Sequence, residues 1–433
     1  MDIVPSEVYM YEQLKIQRML GLWPPEENTA LWKRVIYKLV FYFMLGIKIT
    51  TLTAVLYHMY LEWGHLPDPF DNIIILASHY NTIFGMIYIP TMIDKFELLI
   101  KSVDNIFIVP THFPEEYKII LKETMRSSKF ITMIFMGPAC LTGFSYAAKP
   151  LLTSSNGTES MSLPYQASFP FDVSESPGYW VAHLLLSVSM MTICLNGTVN
   201  CDFFVSLIMK TTSQFRFLQL MILNVKEDAL KRKKQKEQEK IKRISTTDEI
   251  SDMLQSLEDA DDKEQVKIED REDNIDSELI QILSEFVKKH QELLQFTEDL
   301  ESLASPFMLF QISVYVVFLC LNVFAMSMVA VGSIEFINTM LFVVTVISLL
   351  LMPAWYGNEI RVQSAELAKA ASICDWIDAP HSFKTSLRLI IQRAQKPVQL
   401  TALKFCAVDL NMFTMVLKAT YSYYQVLHKI FNE

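Results

Sequence analysis

Residues Ile334–Ala354 read IEFINTMLFVVTVISLLLMPA, an unbroken apolar run whose one formal charge, Glu335, stands at its start. A bilayer core needs about 20 mostly apolar helical residues to cross it, and this run meets that length. Working outward from it, six more stretches share the character: Val35–Leu61, Asp71–Ile93, Phe130–Ala148, Tyr179–Met209, Pro306–Val331 and Val398–Leu427. The expectation is an all-α membrane protein, a single polytopic domain over 1–433 with seven transmembrane helices.

The connecting segments carry the cations unevenly. With the N-terminus in the cytoplasm, the segments Met1–Arg34, Asp94–Lys129, Lys210–Ser305 and Trp355–Pro397 hold 32 of the 38 Lys and Arg, and the opposite side holds only Lys149 and Lys429. Positive charge collects on the cytoplasmic side of short loops, so this orientation is the expected one. An odd number of spans then puts the C-terminus outside. Asn156-Gly157-Thr158, a glycosylation sequon, falls in the loop expected outside and makes Asn156 a candidate glycan site. Asn196-Gly197-Thr198 has the same pattern inside the fourth span, where no glycan can be added. The first thirty residues lack an apolar run, so the first span is expected to act as its own insertion signal.

Half the residues are hydrophobic, Phe (28) and Met (23) are abundant, and Gly is scarce (11), a composition that suits a helical membrane bundle. The six cysteines fall in spans or on the cytoplasmic side, which argues against structural disulfides. The net charge of -10 is concentrated in Thr246–Glu278, an acidic tract that follows the basic block Lys231–Arg243. Segregated charge with few aromatics marks 226–276 as a disordered or loosely helical cytoplasmic insertion. Its basic block is a candidate contact for anionic inner-leaflet lipid or a calmodulin-like partner. Beyond it, Leu279, Ile282, Leu283, Phe286, His290, Leu293 and Leu300 recur at helical spacing, predicting an amphipathic helix over 277–305. A second cytoplasmic helical region is expected over 358–396, closed by Pro397, which opens the last span at a first helical turn. Lys48 and Asp202 lie inside spans, where charge is costly; a mutual contact, a polar cavity or snorkelling would each satisfy them.

His290-Gln291 with Phe296 and Leu300-Glu301, then Tyr356-Gly357-Asn358-Glu359, then Gln392-Arg393-Ala394-Gln395-Lys396-Pro397, and finally Phe413 with Val416 through Leu427 form an ordered series. Together with Asp202 and Gln214-Phe215 they resemble the insect odorant receptor family. Lys418, Tyr421 and Ser422 in the last helix point to an odorant-tuned subunit; the long insertion is shared with the co-receptor. The resemblance implies a ligand-gated, non-selective cation channel, a hetero-oligomer and tetramer with the insect odorant co-receptor (Orco), joined through cytoplasmic anchor helices at 277–305 and 358–396. It implies a multi-pass protein in contact with membrane lipid, in the plasma membrane of olfactory sensory neuron dendrites, with a pore-lining helix at 398–430. Helical spacing sets Lys404, Val408, Asn411, Met415, Ala419, Ser422, Val426 and Ile430 along one stripe. Ser422, Gln425, Val426 and Ile430 are the candidate pore and gate residues, since apolar rings close a narrow pore by dewetting.

The family's ligand site implies contacts in the outer half of the bundle from Tyr80 and Phe84, Phe144 and Ala147, His183, Ser187, Met190 and Met191, and Phe336 and Met340. Aromatics, Met and a few hydroxyls suit a volatile organic odorant with one polar group. A gustatory-type channel and the shared co-receptor are the alternatives. A G-protein-coupled receptor would need an outside N-terminus and lacks its motifs here, and a secondary transporter would show internal repeats. Neither His-Glu-x-x-His, nor a phosphate-binding Gly loop, nor a nucleophile elbow is present, so no enzyme, cofactor or metal site is expected, and no nucleic acid. His79, His183 and His290 read as isolated structural histidines.

Overall fold

A computed structural model describes residues 10–25, 29–62, 69–106, 114–154, 162–244 and 263–432. Eleven helices follow in order among them: α1 Tyr11–Met19, α2 Leu31–Leu61, α3 Pro69–Thr91, α4 Ile93–Ile106, α5 Pro114–Ser154, α6 Gly178–Leu223, α7 Val225–Ile244, α8 Lys263–Met328, α9 Ile334–Ile373, α10 His381–Ala394 and α11 Leu410–Asn432. Between α10 and α11, β1 (Thr401–Ala402) pairs antiparallel with β2 (Cys406–Ala407). Six helices, α2, α3, α5, α6, α8 and α9, are long and apolar enough to cross a membrane. The chain is a helical membrane protein.

Local chemistry explains the main boundaries. Ser333 caps α9 by accepting a hydrogen bond from the Phe336 amide at 3.1 Å, and Glu335 sits in the first turn, where a carboxylate favours the positive end of the helix dipole. Pro90 near the end of α3 removes a donor from the helix ladder, and the chain breaks at Met92 before α4 begins. The centre of the bundle is α6, whose residues from Asn196 to Phe215 are all buried. It packs against α1, α2, α3, α5, α8 and α9, and a helix buried on every side is the core of its fold.

One expectation needs correction and two become more definite. The last span does not begin at Val398, because residues 398–409 form the β1–β2 hairpin and α11 starts at Leu410. The apolar residues there read as helix, but tertiary hydrogen bonds claim their backbone: Val398 N–H donates to Ser364 Oγ at 2.9 Å, Leu403 N–H to Ser305 Oγ, and Val408 N–H to Leu400 O at 2.9 Å. Asp409 then caps α11, accepting from the Met412 amide at 3.0 Å. The amphipathic helix expected over 277–305 is present and continues into the fifth span, since α8 runs 66 residues straight through Pro306. Of the two readings of the insertion, disordered or loosely helical, residues 226–244 take the helical one, as α7 docked on α8. Arg232 grips Glu285 with two hydrogen bonds of 2.8 and 2.7 Å, and Lys236 pairs with Glu278. Residues 245–262 lie outside the described residues.

Candidate functional site

The end of the bundle carrying residues 162–177 is called outer here, after the expected topology, and the end carrying α7 and α10 is the base. In the outer half, four segments converge on a buried polar cluster. Lys48 of α2 is fully buried and donates from Nζ to the carbonyl of Ser189 and, at 3.1 Å, to its hydroxyl. Thr51, one turn on, lies 2.9 Å from Ser189 Oγ and 3.0 Å from Nε2 of His79 on α3. His79 Nδ1 lies 2.9 Å from the Ile75 carbonyl, which places the proton on Nδ1 and leaves Nε2 as an acceptor. Tyr165, from the segment before α6, meets the His79 ring edge-on at 6.1 Å. Apolar walls close round this cluster, with Val55, Leu186 and Met190 buried and Met59 and Tyr146 packed against them.

The residues expected at the ligand site divide. Met190 and His183 are buried, while Ser187, Met191, Ala147 and Phe336 are half-buried. His183 Nδ1 lies 3.3 Å from Ser187 Oγ, and its buried Nε2 has no hydrogen-bond partner. Phe84 stacks on Phe310 at 4.0 Å, toward α8. Tyr80, Phe144 and Met340 are exposed on the bundle surface at 52%, 66% and 41%, and so do not converge on the interior with the others. Thr51, Tyr165 and Ser189 escaped the sequence reading, and His79, read there as isolated, joins them, because no local pattern announces contacts between residues far apart in the chain. Lys48 alone carried a signal, as a charge inside a span. Asn156 lies outside the described residues.

Lys48 and Asp202 do not meet. Asp202, at the base end of α6, accepts from Thr132 Oγ1 at 2.9 and 3.1 Å, and the charge of Lys210 acts on it. Around it, α1 is tied into the bundle, with Gln13 donating to Ser128 at 3.1 Å and Gln17 to Asn200 at 3.1 Å. Lower in the base, burial and the nearby Arg393 guanidinium hold His290 down to about 4. Burial pushes Asp228 up to about 6 against the opposing pull of Arg232 and Lys231.

The hairpin brings α11 against α8 and α9. Gly357 of α9 is required there, since a Cβ at this position would stand 2.0 Å from the Val408 carbonyl oxygen. Val408 is therefore a buried packing residue, and Lys404 sits in the hairpin turn at φ 60°; neither belongs to a helical stripe. On α11 itself Met412, Val416 and Thr420 are buried on one face, and Asn411, Met415, Ser422, Gln425 and Val426 are exposed. Ile430 is in α11, and its side chain is outside the described residues. All six cysteines are free.

Residues 66–421 match the 7tm Odorant receptor family. The chain belongs to the insect odorant receptor family. Relatives include Odorant receptor 10 of Aedes albopictus, 21% identical over 94% of this chain and 97% of that one, and Odorant receptor Or2 of Anopheles gambiae, 20% identical over 86% and 88%. A 72-residue stretch, 17% of this odorant receptor and 15% of the relative, is 33% identical to the odorant receptor coreceptor of Drosophila melanogaster. Olfactory receptor OR5 of Machilis hrabei, solved in complex with eugenol, shares the fold with a TM-score of 0.75 over 98% of both chains at 15% identity.

Proposed function

We propose that this odorant receptor is an odorant-tuned, ligand-gated subunit of a non-selective cation channel. It assembles with the odorant co-receptor as a hetero-oligomer, a tetramer, in the plasma membrane of sensory dendrites, with seven spans, a cytoplasmic N-terminus and an external C-terminus. The observation that carries the reading is α11. It is anchored at its foot by the hairpin and buried along one face, and it offers the other face, Asn411 through Val426, to something outside this chain. An amphipathic helix of that kind in a membrane protein finds its polar face a place at a subunit junction or a water-filled pore. Val426, 54% exposed near the far end, is positioned to narrow such a pore. The odorant binds in the outer half of the bundle and opens the pore only by preferring the open shape of its site.

The test is whole-cell current from cells expressing this chain with and without an insect co-receptor, during a volatile panel and with G-protein signalling blocked. Fast cation current that needs both chains and an odorant is expected. Current that vanishes when G-protein signalling is blocked would refute it. In the same cells Val426→Asn should raise current without odorant, because a polar ring no longer dewets.

A further inference from the structure

The Lys48 cluster is short of negative charge. An ammonium removed from water is costly unless an anion stands beside it, yet Lys48 is fully buried and its hydrogen bonds both go to uncharged oxygens of Ser189. Among the described residues no Asp or Glu forms an ion pair with it. The neighbouring acceptors are already engaged: His79 Nε2 lies within hydrogen-bond reach of the Thr51 and Ser189 hydroxyls, and Thr51 donates to the Ile47 carbonyl at 2.8 Å. Two donors are left over. An ammonium has three N–H groups, and Lys48 spends two. The Tyr165 hydroxyl, in a residue only 8% exposed, stands beside the Ser189 and Thr51 hydroxyls, which interact with it without a hydrogen bond of good geometry. Donors to spare, acceptors in use and a buried amine with no acidic neighbour, whose proton an arriving anion would stabilise, define a site for an anionic acceptor.

The walls around it can yield. Met190 and Met59 border the cluster, and unbranched thioether side chains repack at small cost. Ala54, Ala139 and Ala167 leave the remaining lining slim. A pliable apolar surround with a basic group at one end suits an alkyl chain that carries an acidic head.

Resting on the odorant-receptor reading above, the geometry points to Lys48 and Tyr165 as the polar end of the odorant site, and to small carboxylic acids, bound as carboxylates, as its ligand class. Lys48 supplies the charge and one hydrogen bond, Tyr165 supplies a second, and the alkyl chain lies among Met59, Met190 and Leu186.

The experiment uses the full chain with the co-receptor and measures equilibrium binding of radiolabelled octanoate to membranes of verified surface-expressing cells, beside whole-cell current. Octanal, 1-octanol and methyl octanoate compete as uncharged analogues. Octanoate is expected to bind roughly 10- to 100-fold more tightly than these, the worth of a charge-assisted hydrogen bond. Lys48→Met should erase that preference while keeping surface expression, and Tyr165→Phe should weaken octanoate severalfold. Equal affinity for acid and alcohol, an acid preference that survives Lys48→Met, or no saturable octanoate binding would each overturn the inference. The channel reading fails separately: Lys48-dependent octanoate binding without current would sink it and leave the site standing, and current from the uncharged analogues without acid preference would do the reverse.

Discussion

Lys48 and Lys210 are both buried in this bundle, and the two ends of the molecule treat them differently. Lys210, 3% exposed toward the base, has the Asp202 charge acting on it, and Asp202 in turn is bonded to Thr132. Lys48, fully buried in the outer half, has one serine. The base half balances its charge within the chain and stitches α1, α5 and α6 into one network. The outer half leaves Lys48 with no acidic neighbour among the described residues, which is the feature the proposed carboxylate site rests on.

The largest effect expected from breaking this contrast is at Gly357. A Gly357→Val side chain cannot share space with the Val408 carbonyl, so the hairpin must leave α9, and odorant-evoked current should be lost while co-receptor surface expression is unchanged. Next is a matched pair of buried-charge mutants. Asp202→Ala takes the acceptor from Thr132 and removes the carboxylate whose charge acts on Lys210, and should cost about 1 to 3 kcal/mol, whereas Lys48→Met removes a buried amine with no acidic neighbour and should be neutral or stabilising. Thermal unfolding of the solubilised complex measures both, and a larger loss at Lys48 than at Asp202 would reverse the contrast.

A smaller effect concerns acid. Folding keeps His290 neutral by lowering it from 6.5 to about 4, so its contribution is fully present above pH 6.5 and is lost as pH falls toward 4. Roughly 2 to 3 kcal/mol of base stability should disappear over that window, and a His290→Gln variant should flatten the pH profile of unfolding there. The smallest is Glu285→Gln, which weakens the half-exposed grip of Arg232 that docks α7. About 1 kcal/mol is expected, read as faster proteolysis of α7 and no change in odorant response.

The spans were readable because the bilayer imposes one demand, about 20 apolar residues, on each of them. Ile334–Ala354 and Tyr179–Met209 both fall inside observed helices. The reading failed at Val398–Asp409, where apolar composition is the same for a membrane helix and for a hairpin docked on α8 and α9. Ser364 and Ser305 decide between the two, and neither is local. At 226–244 it left disorder and loose helix both open, and the helix is settled by Glu285 and Glu278, which meet Arg232 and Lys236 across a long sequence separation. Of the candidate ligand residues, helical position along the chain set their depth, but facing depends on how the helices are rotated against one another. Tyr80, Phe144 and Met340 turn outward for that reason, and Met190 and His183 turn in.

By itself the sequence determined the membrane class, the charge bias of the loops and the motifs of the family, since each rests on composition or on spacing within one segment. Tertiary structure alone decided where α11 begins, why Gly357 must be glycine, and which groups meet Lys48. Those outcomes depend on contacts between residues tens to more than a hundred positions apart, and a buried charge acquires its meaning only from what the fold does or does not place beside it.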